Sequence, residues 1–266
     1  MFIGKFTRDM ASALTYRATW GGSQNFLGAR WVERVVDSVP ESTRERVALR
    51  FLGLSPHYFY DRDLAAEASR NRQSRQILAD GLVVPHLVRD ARVLDYGCGP
   101  GYLAAAVAGT AAYVAAVDIS RGVLACARVL NGRPNVTYQT PEQFRDGGGL
   151  VDLAYSFAVV QHLRTAVLEQ MIEMLAAAVR PGGTLLLHFA IAENGYRTEA
   201  DWLADGSLAG RAKLRYGLNC FARSAAEMTG LVTRAGFTDA VVRPLSGRIA
   251  IPGDDIPEQY LLTARR

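Results

Sequence analysis

Between Arg92 and Ala190 short apolar runs alternate with longer segments whose apolar residues recur at helical spacing. The runs "RVLDY", "AYVAAVD", "NVTYQ", "LVDLAYSF" and "TLLLHFA" read as strands. Between them, "YLAAAVAG", "SRGVLACARVLNG" and "TAVLEQMIEMLAAAV" read as helices, while "TPEQFRDGGG" reads as a loop and "RPGG" as a turn. Strands alternating with helices of this length predict βαβ units with right-handed crossovers and a parallel sheet covered on both faces.

The flanks differ. Residues 1 to about 90 read as a helical cap or lid: "FLGARWVERVVDSV" carries apolar residues at helical spacing and ends at Pro40, and "DLAAEASRNRQSRQILADGLV" leads toward the core. An aromatic knot, "SPHYFYD" (Ser55 to Asp61), lies between them. Past the fifth strand, residues 191–222 turn polar and read as an inserted lid. Then "SAAEMTGLVTRAGF" reads as a helix with Ser224 as N-cap, Glu227 completing a capping box and Gly236 at its end. "TDAVVRPL" and "EQYLLTAR" complete the count as an antiparallel pair. The expected architecture is α/β: a Rossmann-like, doubly wound, mostly parallel seven-stranded sheet over residues 91–266, with the helical cap before it.

Composition narrows the class. With 49% hydrophobic and 21% charged residues and a mean hydropathy of +0.03, the chain has the profile of a soluble globular protein of 266 residues. The start carries Lys5, Arg8 and Asp9 without an apolar run, and the most apolar segment, Leu103 to Val117, is too short and Ala/Gly-rich to span a bilayer; a cytoplasmic protein is expected. Cys98, Cys126 and Cys220 are far apart, which predicts free thiols and neither a disulfide framework nor a thiolate metal site. The net charge of +4 is spread along the chain, so nucleic acid is not the expected partner.

The sharpest signal is "VLDYGCGPGYLAAAVAG", Val93 to Gly109. Glycines between a strand and a helix let a ligand approach the backbone and aim the helix start at it. A dinucleotide turn needs G-x-G-x-x-G, whereas Gly97, Gly99 and Gly101 give G-x-G-x-G and Tyr102 stands in the sixth place. No Lys-Ser/Thr follows, which excludes a P-loop. Asp95, two residues before the first glycine, would repel a pyrophosphate and favour a ligand with positive charge. Asp118 ends the next strand and is placed to accept two ribose hydroxyls.

On these residues the chain resembles the class I S-adenosylmethionine-dependent methyltransferases. "VLDYGCGPG" is similar to that family's first motif, "VAAVDIS" to its second, "VDLAYSFAVVQHL" to its fourth-strand segment and "LAAAVRPGGTLLL" to its fifth. The resemblance implies S-adenosylmethionine as cofactor, with Gly97 and Gly99 lining its methionine moiety, Asp95 near the ammonium, Asp118 on the ribose and Ile119 over the adenine. Cys98, Gly101, Pro141 and Ser156 join the expected cofactor-binding set. The family often has an acidic residue after the third strand; here Thr140 stands there, so Thr140, Glu142 or backbone groups take the adenine. For Gly101 helix packing is an equal reading.

Methyl transfer depends mainly on positioning, and a base is needed only where the acceptor must lose a proton. His162, just beyond the fourth strand, is a candidate base or orienter, and equally a structural histidine packed at the lid. His188 at the end of the fifth strand is a second catalytic candidate; His57 in the aromatic knot ranks lower and His86 reads as structural. No Asn/Asp-Pro-Pro-aromatic turn follows the fourth strand, Ser156 and Phe157 replace metal-binding carboxylates, and Gln161-His162 replaces the Glu-His pair of cyclopropane-forming relatives. O-methylation of a small or medium hydroxylated acceptor in bacterial metabolism therefore leads, with the protein a monomer or homodimer. An RNA or protein methyltransferase, and a non-methylating member of the fold, are the alternatives.

Overall fold

The computed structural model describes residues 27–53, 63–191, 197–216, 220–245 and 259–266. The aromatic knot with His57 lies outside them. In chain order the elements are α1 (Leu27–Ser38), α2 (Glu41–Gly53), α3 (Leu64–Leu78), β1 (Arg92–Tyr96), α4 (Tyr102–Val107), β2 (Tyr113–Val117), α5 (Arg121–Asn131), β3 (Val136–Gln139) and α6 (Pro141–Gly147). There follow β4 (Val151–Ser156), α7 (Thr165–Ala178), β5 (Val179–Ala190), α8 (Glu199–Ala204), α9 (Leu208–Tyr216), α10 (Ala225–Arg234), β6 (Thr238–Pro244) and β7 (Gln259–Arg265). The seven strands form one sheet in the order β3-β2-β1-β4-β5-β7-β6. β7 pairs antiparallel with β5 and β6, and the other neighbouring pairs are parallel.

Strand alternation divides the core into two layers. Leu94, Ala154, Leu185 and Leu187 face α7 and α10, where Leu168, Ile172, Leu175, Met228 and Val232 cover them. Val93, Leu153, Tyr155 and Leu186 face the opposite way, onto Leu103 and Val107 of α4, Leu124 of α5 and Leu82 and Val83 beyond α3. Because both faces are buried, the strands read as continuous apolar runs. The cap helices form a third cluster: Val32 and Val36 of α1 and Phe51 and Leu52 of α2 pack with Val123 and Cys126 of α5 and with Tyr102.

Four local expectations are corrected. Pro40 does not only close α1; it stands immediately before α2, where its missing N–H costs nothing and its carbonyl accepts from Thr43. "RPGG" is not a turn ahead of the fifth strand but part of it: β5 starts at Val179, and Arg180 to Gly182 bulge outward with Gly182 at φ +78°. At α10, Ser224 caps the Glu227 N–H, but the Glu227 carboxylate turns to Arg223 instead of closing a capping box. "TPEQFRDGGG" is not a loop throughout: Pro141–Gly147 form α6, because Thr140 and Gln143 close a capping box by satisfying each other's backbone N–H groups.

Candidate active site

The C-terminal ends of β1, β2, β4 and β5 meet on one rim, the edge where open α/β sheets bind ligands. After β1 the chain turns through Gly97, Gly99 and Gly101 at φ +81°, +51° and +80°, a left-handed sequence that side chains resist. At Gly97 an added Cβ would collide with Val159 Cγ2, and at Gly101 with the Tyr138 hydroxyl. Gly97 and Cys98 both donate to the Val117 carbonyl at 2.7 and 3.0 Å. From the other side Tyr138 donates to the Asn131 carbonyl (2.8 Å), and Asn131 Nδ2 donates to the Pro100 carbonyl (2.8 Å). The turn is thus braced by β2, β3 and α5.

Two carboxylates stand at this turn. Asp118 Oδ2 accepts the Gly99 N–H at 3.0 Å and Oδ1 accepts the Ser120 N–H at 2.8 Å. Burial pushes its pKa up and the two backbone donors pull it down, with a net rise. Asp95 is 2% exposed, and its Oδ2 has no hydrogen-bond partner. Burial pushes its carboxyl up to about 8; the Tyr155 hydroxyl opposes the rise, the Asp118 charge adds to it, and Arg75 of the cap opposes it. Tyr155 Oη is likewise buried without a hydrogen bond of ordinary geometry, and its nearness is what eases the Asp95 carboxyl downward. A buried oxygen without a donor is costly unless something else supplies one.

The remaining expected cofactor residues have varied placements. Ile119 is half-exposed beside Asp118 on the rim. Cys98 is buried with Sγ on the Gly99 carbonyl, and burial holds its thiol well above the ordinary range, so it is no nucleophile. Thr140 is buried as the N-cap of α6, Pro141 is its first residue, and Glu142 is exposed. The Glu142 backbone N–H and the Thr140 hydroxyl keep the Glu142 carboxyl below its usual range. Ser156 is fully buried and donates to the Tyr96 carbonyl at 2.8 Å, tying β4 to β1.

The two expected catalytic histidines are not alike. His162 closes a single 3₁₀ turn, Val160–His162, and is half-buried on the rim after β4. His188 is 4% exposed and stacked on Phe157, with ring centroids 5.4 Å apart and planes 15° apart. Its Nδ1 accepts the Ala158 N–H at 3.1 Å, and Nε2 meets Gln259 Oε1. Burial lowers its pKa to about 4, against the Gln259 bond and with the Arg75 charge adding to the fall. The ring is therefore neutral and both nitrogens are engaged.

Sequence reasoning missed the polar lock beyond β5. Arg223, 3% exposed, donates to the Leu163 carbonyl (2.6 Å), Thr165 Oγ1 (2.7 Å) and Glu227 (2.7 Å). Glu199 accepts both the N–H and the hydroxyl of Thr165, at 2.7 and 2.6 Å. Phe221 donates its N–H to the Gln161 carbonyl at 2.6 Å. The described residues around Glu199 and from Phe221 to Arg223 are thereby pinned on the loop that carries His162. A polar stretch with one capping Thr-x-x-Asp signal, Thr198 to Asp201, was the available hint.

A family model described as "Methyltransferase domain" matches residues 60–241. The ribosomal protein L11 methyltransferase of Methylococcus capsulatus is 42% identical over 108 residues, 40% of this chain and 36% of that protein. The ubiquinone biosynthesis O-methyltransferase of Dinoroseobacter shibae is 26% identical over 225 residues, 78% of this chain and 82% of that protein. The chain spans little more than a third of the length of some curated relatives it matches, 36% for the L11 methyltransferase and 39% for the ubiquinone biosynthesis O-methyltransferase of Rhizobium rhizogenes. The magnesium protoporphyrin IX methyltransferase from Synechocystis PCC 6803, solved with bound SAH, shares the fold at a TM-score of 0.52 and 23% identity, over 78% of this chain and 88% of that one.

Proposed function

We propose that this chain, which belongs to the methyltransferase-domain family, transfers a methyl group from S-adenosylmethionine to a hydroxyl of a small or medium acceptor. The observation that carries the reading is the pair of carboxylates at a backbone turn without Cβ atoms. Asp95 Oδ2 lacks a donor and Asp118 keeps a lone pair on each oxygen beyond its backbone bonds. That set fits an ammonium, whose charge favours the ionised form of Asp95, and a sugar diol. When bound, the donor supplies a methyl group already activated on a sulfonium.

The chain's own residues then bind and orient. Asp95 takes the ammonium, Asp118 the ribose, Ile119 flanks the adenine, and Gly97 and Gly99 let the methionine moiety lie against the backbone. Thr140, Pro141 and Glu142 border the adenine edge, where the α6 cap leaves backbone groups rather than a carboxylate to meet it. His162 on the rim receives the proton of the acceptor hydroxyl or orients that hydroxyl. His188 has neither nitrogen available for that step.

Calorimetric titration with S-adenosylhomocysteine, wild type beside Asp118→Ala, tests the donor site. Micromolar binding that weakens in the variant supports it; no binding by folded wild type defeats it. A panel of hydroxylated acceptors with isotope-labelled donor tests the transfer. A protein acceptor is the second reading, favoured by the L11 methyltransferase relative, and label carried into protein rather than metabolite would select it.

A further inference from the structure

Ala158 turns the chain just beyond β4 at φ +58°, a left-handed conformation that is unfavourable for a non-glycine residue. Nothing in its own side chain offsets this. What holds it is His188 on the neighbouring strand: Nδ1 accepts the Ala158 N–H at 3.1 Å, and the imidazole stacks on Phe157, the residue before. The next residue, Val159, presses its Cγ2 against the space in front of Gly97, where a Cβ would collide with it. His188, Ala158, Val159 and Gly97 thus form a continuous path from β5 to the glycine turn.

We infer that His188 is a positioning residue that, as the neutral Nε2–H tautomer held by Gln259, fixes the left-handed Ala158 turn and through Val159 sets the floor of the donor site at Gly97. The Nδ1 lone pair must accept from Ala158, so the ring proton sits on Nε2 and is donated to Gln259 Oε1. A histidine at this place gives an acceptor on one side and a donor on the other, with a flat face for Phe157. The inference rests on the donor site proposed above.

The two amides that mimic halves of the imidazole separate the roles. In His188→Asn the side-chain oxygen stands where Nδ1 was and still accepts from Ala158. In His188→Gln a donor reaches Gln259 but the Ala158 acceptor is gone. Titration with S-adenosylhomocysteine is expected to show His188→Asn within about threefold of wild type. His188→Gln is expected about tenfold weaker, the scale of one buried N–H left unpaired. Hydrogen exchange without ligand is expected to accelerate at residues 157–160 in His188→Gln alone. Equal affinities and equal exchange in the two folded variants would overturn the inference, and failure of wild type to bind would overturn the donor site instead. Nitrogen NMR of the wild-type histidine needs no variant: an unprotonated Nδ1 is expected, and a protonated Nδ1 overturns the inference.

Discussion

The Asp118 carboxylate accepts the Gly99 backbone N–H at 3.0 Å, joining the end of β2 to the middle of the glycine turn that follows β1. The acid is therefore an internal acceptor of the turn as well as a candidate ribose ligand. Asp118→Ala leaves the Gly99 and Ser120 donors unpaired, so it is expected to lower thermal stability by about 1–3 kcal/mol and S-adenosylhomocysteine affinity by about 100-fold. Asp118→Asn keeps one acceptor oxygen and is expected to recover part of the stability but little of the affinity, because an amide cannot accept two hydroxyls through two oxygens. Equal affinities for Asp118→Asn and wild type would remove Asp118 from the ribose.

Asp95 makes the unliganded protein sensitive to pH. Its pKa in the folded state is about 8, against 3.8 for the unperturbed group. The folded chain thus holds a proton there that the unfolded chain has released, so stability falls as pH rises from about 4 to about 8 and is flat beyond. A cationic donor lowers that pKa, so its affinity rises over the same range. Asp95→Asn is expected to flatten both curves, and to bind S-adenosylhomocysteine more weakly at pH 7.5. The measurement is a thermal-unfolding series and a titration series at pH 6 to 7.5, below the range where the ligand's own amino group titrates. Parallel slopes for wild type and Asp95→Asn would assign the pH dependence to other groups.

Gly97→Ala tests the contact between the two loops. Its φ of +81° alone makes alanine unfavourable by about 1–2 kcal/mol, and the new Cβ meets Val159 Cγ2. Val159→Ala removes that methyl group. The double variant is expected to recover binding relative to Gly97→Ala by more than Val159→Ala changes the wild type, a coupling that a double-mutant cycle reads directly. Strict additivity would place Val159 away from Gly97 in solution.

How much of this was legible in the sequence follows from which interactions are local. Apolar runs such as Val93-Leu94 and Leu185–Leu187 identified the strands because each is buried on both faces, and Gly97, Gly99 and Gly101 identified the turn because few residues other than glycine adopt its φ values. Asp95 and Asp118 were visible because each stands at the C-terminal end of an apolar run, one inside β1 and one just past β2. Ala158 was not, since an alanine at φ +58° leaves no mark in composition, and its partner lies 30 positions away. Gln259 is 71 positions from His188, and Glu199 is 34 from Thr165. Only the tertiary fold brings these pairs together, the sheet for His188 and Gln259 and the packing of the segment after β5 for Glu199 and Thr165. The role of Arg180 to Gly183 was misread for the related reason that turn residues also serve as a strand bulge.

The lock around Arg223 gives the last prediction. Its guanidinium is buried among the Leu163 carbonyl, Thr165 Oγ1 and the carboxylates of Glu227 and Glu199, the last at 3.6 Å. Burial raises the Glu199 carboxyl, but the two Thr165 hydrogen bonds and Arg223 outweigh it and hold it below its usual range. Glu199 thus contributes stability above its unfolded pKa, and that contribution is lost as pH falls through the depressed folded value. Glu199→Gln is expected to weaken the acid-side fall in stability. Arg223→Met removes the cation that Glu199 and Glu227 share and leaves the Leu163 carbonyl and Thr165 Oγ1 without their donor, an expected loss of about 3–5 kcal/mol. Because the lock holds residues 197–216 and 220–223 on the loop from Gln161 to Thr165, limited proteolysis of Arg223→Met is expected to cut first within these stretches while S-adenosylhomocysteine still binds. Cleavage that starts in α1 or α2 with the lid intact, at the same loss of stability, would show that Arg223 supports the whole fold and not the lid.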